Sequence, residues 1–193
     1  MLAAGKGSRL GKYTKDNTEI VDAKGHFVMP GFIEGHGHFY GIGRSIINLN
    51  FLNSRSWESI VDDVAKKVSE TPEGAWIIGR GWHQEKWDSV PFQNIYKYPF
   101  HHSLSEISSN NPVVLYHASG HALYANQKAM EAVGINRETP NPVGGEIIRD
   151  AHGDAMGVFE ERAMDVFSNK YEEYLASLDH KVVDSLWYKA IIL

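Results

Sequence analysis

Between residues 32 and 134, short apolar runs that read as strands alternate with an amphipathic helical pattern, and this alternation favours an α/β architecture. The clearest helix is Ser56 to Glu70, where Trp57, Ile60, Val61, Val64 and Val68 recur on one face. Ser56 suits the cap, Glu58 suits the positive end, and Thr71-Pro72-Glu73-Gly74 stops the pattern. Ala75 to Ile78 reads as a buried strand running into Gly79-Arg80-Gly81-Trp82, and Pro112 to His117 (PVVLYH) reads as another. The loop Ala118 to His121 leads to a helix around Asn126 to Val133, with Asn126 at its start and Gly134 closing it. Glu146 to Phe159 reads as a hairpin turning at Ala151-His152-Gly153. Residues 1 to 28 read as short β-strands and turns, Thr18 to Val21 and Phe27-Val28 being strand-like and Asp16-Asn17 and Ala23 to His26 turn-like. Residues 86 to 111 read as irregular, and the chain beyond Glu160 as helical with a break near Ser168 to Lys170. The last residues, Ala190-Ile191-Ile192-Leu193, fall inside a helical pattern with no stop signal, which reads as a truncated chain.

Composition excludes several classes. With 193 residues, 42% of them hydrophobic and 22% charged, the chain suits a folded protein of one domain or one and a part. A net charge of -5 and the lack of a Lys/Arg run argue against a nucleic-acid partner. No stretch approaches the ~18 apolar residues of a membrane span. The absence of cysteine rules out a disulfide framework and thiolate metal sites, and points to the cytoplasm.

The chemistry concentrates in MPGFIEGHGHF, Met29 to Phe39. In a strand, alternate residues share a face, so Glu34, His36 and His38 point one way and Gly35 and Gly37 the other. Two imidazoles at that spacing can reach one ion, since neutral imidazole is a good ligand for zinc and similar metals. A solvent-facing strand carrying two incidental histidines is the plain alternative.

Four segments taken in order carry a family resemblance. VMPGFIEGHGHF resembles the first barrel strand of the amidohydrolase superfamily. GRGWHQEKW, SGHALYANQKAM and GGEIIRDAHGDAMGVFEERAM resemble successive segments of its N-substituted formamide deformylase-like branch of metal-dependent hydrolases. The resemblance implies a partial (β/α)8 TIM-type barrel with a large insertion at about 40–150 after the first barrel strand. Residues 1–30 would be the remnant of a composite β-sandwich, and residues 31–193 the N-terminal part of the barrel.

The implied activity is hydrolysis of carbon–nitrogen, amide-like non-peptide bonds in a small molecule, by a water that one or two divalent metal ions, zinc foremost, activate. His36 and His38 match the first two metal ligands. Glu161, at the Gly-Val-x-x-Glu position, matches a bridging carboxylate. A glutamate in the first turn of a helix is its ordinary reading, and Glu160 beside it is the alternative if the register differs. The superfamily's later histidines and its aspartate base find no match among His180, Asp165, Asp179 and Asp184. A complete barrel takes ~250 residues, so the base is expected beyond this chain.

Three further residues are candidates for contact with substrate or for supporting the metal ligands. Glu34 stands where an aspartate is more usual. His83 lies in an aromatic loop after a strand, and His121 follows a Ser-Gly turn. Each has a structural alternative: His83 in a surface loop anchored by its tryptophans, His121 as a helix-capping or core residue. His101-His102 reads as surface. Two other readings stay open: a non-catalytic binding or scaffold remnant of the same fold, and a different metal hydrolase using the same strand motif. The oligomeric state has no signature in the sequence.

Overall fold

The structure, a computed structural model, describes residues 6–29, 31, 45, 47–179, 181 and 184. Glu34, His36, His38, the strand expected at Phe32 to Phe39, His180 and the terminal run Ala190 to Leu193 lie outside the described residues. The chain divides into two compact units, Met1–Gly37 and His38–Leu193.

In the first unit, a short helix α1 (Gly7–Leu10) continues as a 3-10 turn, Gly11–Tyr13. The turns expected at Asp16-Asn17 and Ala23 to His26 are present, the second closed by His26 N–H donating to Ala23 O at 2.8 Å. The strands expected at Thr18 to Val21 and Phe27-Val28 are not formed. A strand exists only where a neighbour takes up its N–H and C=O groups, and among the described residues no strand pairing involves residues 6–29.

The second unit is built on a six-stranded mixed sheet in the order β1-β2-β5-β6-β8-β7. Its strands are β1 (Leu49–Asn50), β2 (Ile77–Trp82), β5 (Val113–His117), β6 (Ala122–Ala125), β7 (Gly145–Arg149) and β8 (Ala155–Glu161). β1, β2 and β5 are parallel; β5, β6, β8 and β7 pair antiparallel. A separate two-stranded hairpin pairs β3 (Asn94–Ile95) with β4 (Tyr98–Pro99). The α/β expectation therefore holds, with a sheet part parallel and part antiparallel.

Both faces of this sheet are covered, which is why its strands read as nearly continuous apolar runs. Ile77, Val113, Leu115, Tyr124, Ile148, Met156 and Val158 pack on one face with Trp57, Ile60 and Val64 of α2 (Trp57–Ser69) and with Leu104 of α3 (His102–Ile107). The alternate residues Ile78, Val114, Leu123, Ile147 and Phe159 pack on the other with Ala129 and Met130 of α4 (Gln127–Ala132) and Phe167 of α5 (Asp165–Ser177). Helix α2 starts as its sequence requires, the Ser56 hydroxyl accepting from Ser59 N–H at 3.0 Å.

Four expectations are corrected. Residues 86–111 contain α3 as well as the β3–β4 hairpin. A strand, β6, precedes α4, fully buried between β5 and β8. The helical pattern read from Glu160 begins later: Glu160 and Glu161 end β8, a 3-10 turn follows at Arg162–Met164, and α5 then runs unbroken through Ser168 to Lys170. Ser168 is held there by its hydroxyl against the Tyr116 hydroxyl, 3.1 Å away. His101 is buried at the start of α3 and not on the surface, its Nδ1 2.7 Å from the Ser105 hydroxyl. No helix among the described residues is long and apolar enough to cross a membrane.

Candidate active site

β2 and β5 run the same way, and β8, two antiparallel steps from β5, runs that way too. Their carboxyl ends therefore meet at one end of the sheet. There the chain places His83 after β2, His117 at the end of β5, and Glu160 and Glu161 at the end of β8. His121 joins them because the turn after β5 delivers it to the start of β6.

The end of β2 is shaped by a bulge. Register shifts between Arg80 and Trp82, so that Trp82 pairs with His117. Gly81 sits at that bulge with φ +108°, and a Cβ there would lie 2.9 Å from Leu52 N. The bulge seats Trp82 in the core, its indole N–H donating to Leu115 O at 2.7 Å. His83 then leaves the sheet, its Nδ1 accepting from Glu85 N–H at 3.2 Å.

Beneath lies an aromatic floor. Tyr124 packs 4.5 Å from Trp57 and 4.8 Å from Trp82, ring centre to ring centre, and its hydroxyl donates to Pro99 O at 3.0 Å. That bond and the Tyr98 hydroxyl, which donates to Glu160 Oε1 at 3.0 Å, tie the β3–β4 hairpin to the site. Burial and then Glu160 push the Tyr98 phenol up to about 12, so it stays a donor.

The sequence pattern assigns His117 no role, and the structure places it at the centre. It is buried against Trp82 and the His83 ring, each 4.5 Å away between centres. Its Nδ1 accepts from Ser119 N–H at 3.1 Å and lies 2.7 Å from the Ser119 hydroxyl. A backbone N–H can only donate, so Nδ1 is the acceptor and the ring proton sits on Nε2. That Nε2 is buried without a hydrogen-bond partner among the described residues. Burial first, then the neighbouring His83, His121 and Lys86, lower its pKa to about 4. A histidine ending a strand just before a Ser-Gly turn is the signal that could have singled it out.

His121 and Glu161 come together. His121 Nδ1 lies 3.0 Å from Glu161 Oε1, and Glu161 N–H donates to His121 O at 3.0 Å. Both side chains are more than half exposed, 70% and 58%, so the contact adds little stability while leaving the carboxylate accessible. Glu161 is neither in a helical turn nor in ordinary strand geometry: its φ is +50° and ψ -125°. A bulky residue at positive φ is a local strain of the kind that gathers at functional sites. Glu160 differs from it in having Tyr98 as partner. His121 is not the helix cap; Asn126 fills that role. Among the described residues, no group of three or more His, Cys, Asp or Glu side chains is arranged to hold a metal ion.

The amidohydrolase family model matches residues 19–188. The chain is 31% identical over 155 residues to the putative amidohydrolase YtcJ of Bacillus subtilis (strain 168), covering 80% of this chain and 28% of that protein. It is 30% identical over 161 residues to N-substituted formamide deformylase of Arthrobacter pascens, covering 82% and 29%. It thus spans less than a third of the length of these curated relatives. The solved structure of an uncharacterized metal-dependent hydrolase from Pyrococcus furiosus shares the fold, with a TM-score of 0.53 at 23% identity, over 98% of this chain and 35% of that one. With the family model matched over most of its length, the chain belongs to the amidohydrolase family.

Proposed function

We propose that this chain is the N-terminal part of a metal-dependent hydrolase that cleaves carbon–nitrogen, amide-like bonds of a small non-peptide substrate, and that residues 31–193 contribute to a (β/α)8 barrel interrupted by an insertion at about 40–150. Residues 1–30 would belong to a β-sandwich. The observation that carries the reading is Glu161: a strained, accessible carboxylate at the carboxyl end of β8, where active sites of open α/β sheets gather. The deformylase named above supports the choice of bond. The cytoplasm is the proposed compartment.

The donor set suits a divalent ion. His36 and His38 offer imidazoles, and Glu161 a carboxylate that meets exposed His121, a combination that accepts zinc well. An ion held there would polarise a carbonyl oxygen and lower the pKa of water. The described residues supply the surroundings. The Tyr98 phenol, kept protonated, holds Glu160 by donation. His83 lies beside buried His117, just past the carboxyl end of β2. Trp82, Trp87 and Tyr124 form an apolar base that limits water beneath.

The test is elemental analysis of the purified chain beside a His36→Ala/His38→Ala double variant. Stoichiometric zinc in the parent, lost in the variant, is expected. Zinc retained by the variant would refute the pair as ligands. The reaction is checked in the longer reading frame with N-substituted formamides, where release of an amine and formate is expected and a different product pair would overturn the bond assignment.

A further inference from the structure

We infer that His117 and Ser119 are positioning residues that hold Glu161 in its strained conformation through His121. This rests on the reading of Glu161 as a ligand only for its consequence in metal binding; the positioning itself stands on the described geometry.

The chain of bonds is continuous and directional. His121 N–H donates to the Ser119 hydroxyl at 3.2 Å. That hydroxyl, with one proton to give, donates to His117 Nδ1 at 2.7 Å, because Nδ1 also accepts from Ser119 N–H and so carries no proton. His117 is fixed in turn by burial at 7% exposure between Trp82 and His83. The short turn is closed by Gly120 N–H donating to His117 O at 3.0 Å. Its far end, His121, then meets Glu161 twice: the His121 carbonyl takes the Glu161 N–H, and the ring lies against the carboxylate.

A glutamate with φ +50° is not at rest, because a residue with a side chain is strained in that region. Something must hold it. The β8 pairing does so on one side, through Gly145 opposite Glu161, and His121 does so on the other. An exposed turn carrying His121 would be a poor clamp by itself. Anchored on a buried, neutral imidazole with a defined tautomer, it becomes a fixed one. This assigns a purpose to burying His117, whose Nε2 gains no partner among the described residues.

Two readouts test it on the whole chain. The first is amide hydrogen exchange of Glu161, with global stability measured in parallel. Ser119→Ala should speed exchange at Glu161 on the order of tenfold while the strand interior at Leu123 and Val158 and the global unfolding free energy stay at the parent value. Ser119→Thr, which keeps the hydroxyl, should restore protection. The second is zinc affinity by titration with zinc alone, which Ser119→Ala should weaken about tenfold, as losses of supporting hydrogen bonds do. Glu161→Gln is the control for the ligand reading. If Glu161→Gln leaves zinc affinity unchanged, the ligand reading fails and the exchange result alone decides the positioning. If Glu161→Gln weakens zinc while Ser119→Ala alters neither exchange nor affinity, the positioning inference is overturned and the ligand reading stands. Exchange faster everywhere in Ser119→Ala, unrescued by threonine, would show a merely structural serine and overturn the inference as well.

Discussion

The buried histidines His101 and His117 should make this protein lose stability as the solution is acidified well above the carboxylate range. Burial lowers both His101 and His117 to about 4 from an ordinary 6.5, helped by the neighbour His102 for the first and by His83, His121 and Lys86 for the second. A depressed histidine is neutral in both states above 6.5. Below that the unfolded chain takes up the proton and the folded one does not, so stability falls with pH down to about 4 and levels off beneath. At pH 5 the unfolded chain binds roughly 0.9 proton more per ring, and integration from pH 7 to 5 gives about 2 kcal/mol for each. Both rings keep residual solvent contact, which screens part of this and leaves about 1–2 kcal/mol per ring and about 2–4 kcal/mol for the two. That is a large share of the ~5–15 kcal/mol a domain commonly has.

Urea unfolding followed by tryptophan fluorescence at pH 7, 6 and 5 measures the loss. The comparison is a His101→Asn/His117→Asn double variant. Asparagine can accept where each Nδ1 now faces Ser105 or Ser119, but it does not titrate. Every other titrating group is common to both proteins and cancels in the difference of slopes. The double variant should lose the larger part of the slope between pH 6.5 and 4. An unchanged slope, or imidazole resonances of either ring titrating near 6.5, would refute the reasoning.

Three further outcomes are expected. Asn126→Ala should destabilise by about 3–5 kcal/mol, read by urea or thermal unfolding. It removes the cap on Ala129 N–H and strands the buried Val113 N–H and Asn111 carbonyl, so a loss under about 1 kcal/mol would contradict that account. Gly157→Ala should lower the melting temperature and disturb β8. Its φ is +101° and a Cβ would lie 2.6 Å from the His101 Cβ, so an unaltered amide spectrum around Glu160 would speak against the tight packing. Ser56→Ala should cost about 1 kcal/mol by loss of the α2 cap, and a neutral result would mean that water replaces that bond without loss.

What the sequence made legible follows from how local the signal is. Helix α2 shows itself because Trp57, Ile60 and Val64 recur on one face and Ser56 caps it, all within one segment. β6 did not, since ALYA is four residues buried on both sides with no alternation, and only its pairing with β5 and β8 makes it a strand. α3 buries only Leu104, too little for a helical period to appear. At the site, Glu161 was singled out by its motif, but its strand-end geometry was not readable, because the helical pattern that follows masks where β8 stops. The partnership of His121 with Glu161 spans 40 positions of sequence. It arises from the antiparallel register that sets Ala122 opposite Glu160.

That register also predicts that the candidate site tolerates little change in β8. Successive strand residues face opposite ways, so a slip of one position would exchange Glu160 and Glu161. Tyr98 would then face the wrong carboxylate and His121 would lose its partner. The strand is pinned at three places. Phe159 and Val158 are fully buried on opposite faces, Gly157 lets His101 approach its backbone, and Gly145 pairs with Glu161 at the very end. The two adjacent glutamates are thus distinguished by the packing of Gly157, Val158 and Phe159 just before them and by the backbone pairing of Glu161, in which neither carboxylate takes part. The burial of His101 belongs to the same arrangement: its backbone N–H donates to Met156 O at 2.9 Å, beside Gly157. The acid-sensitive imidazoles therefore brace the strand that carries Glu161 and the turn that holds it, so stability and site geometry should fail over the same pH range.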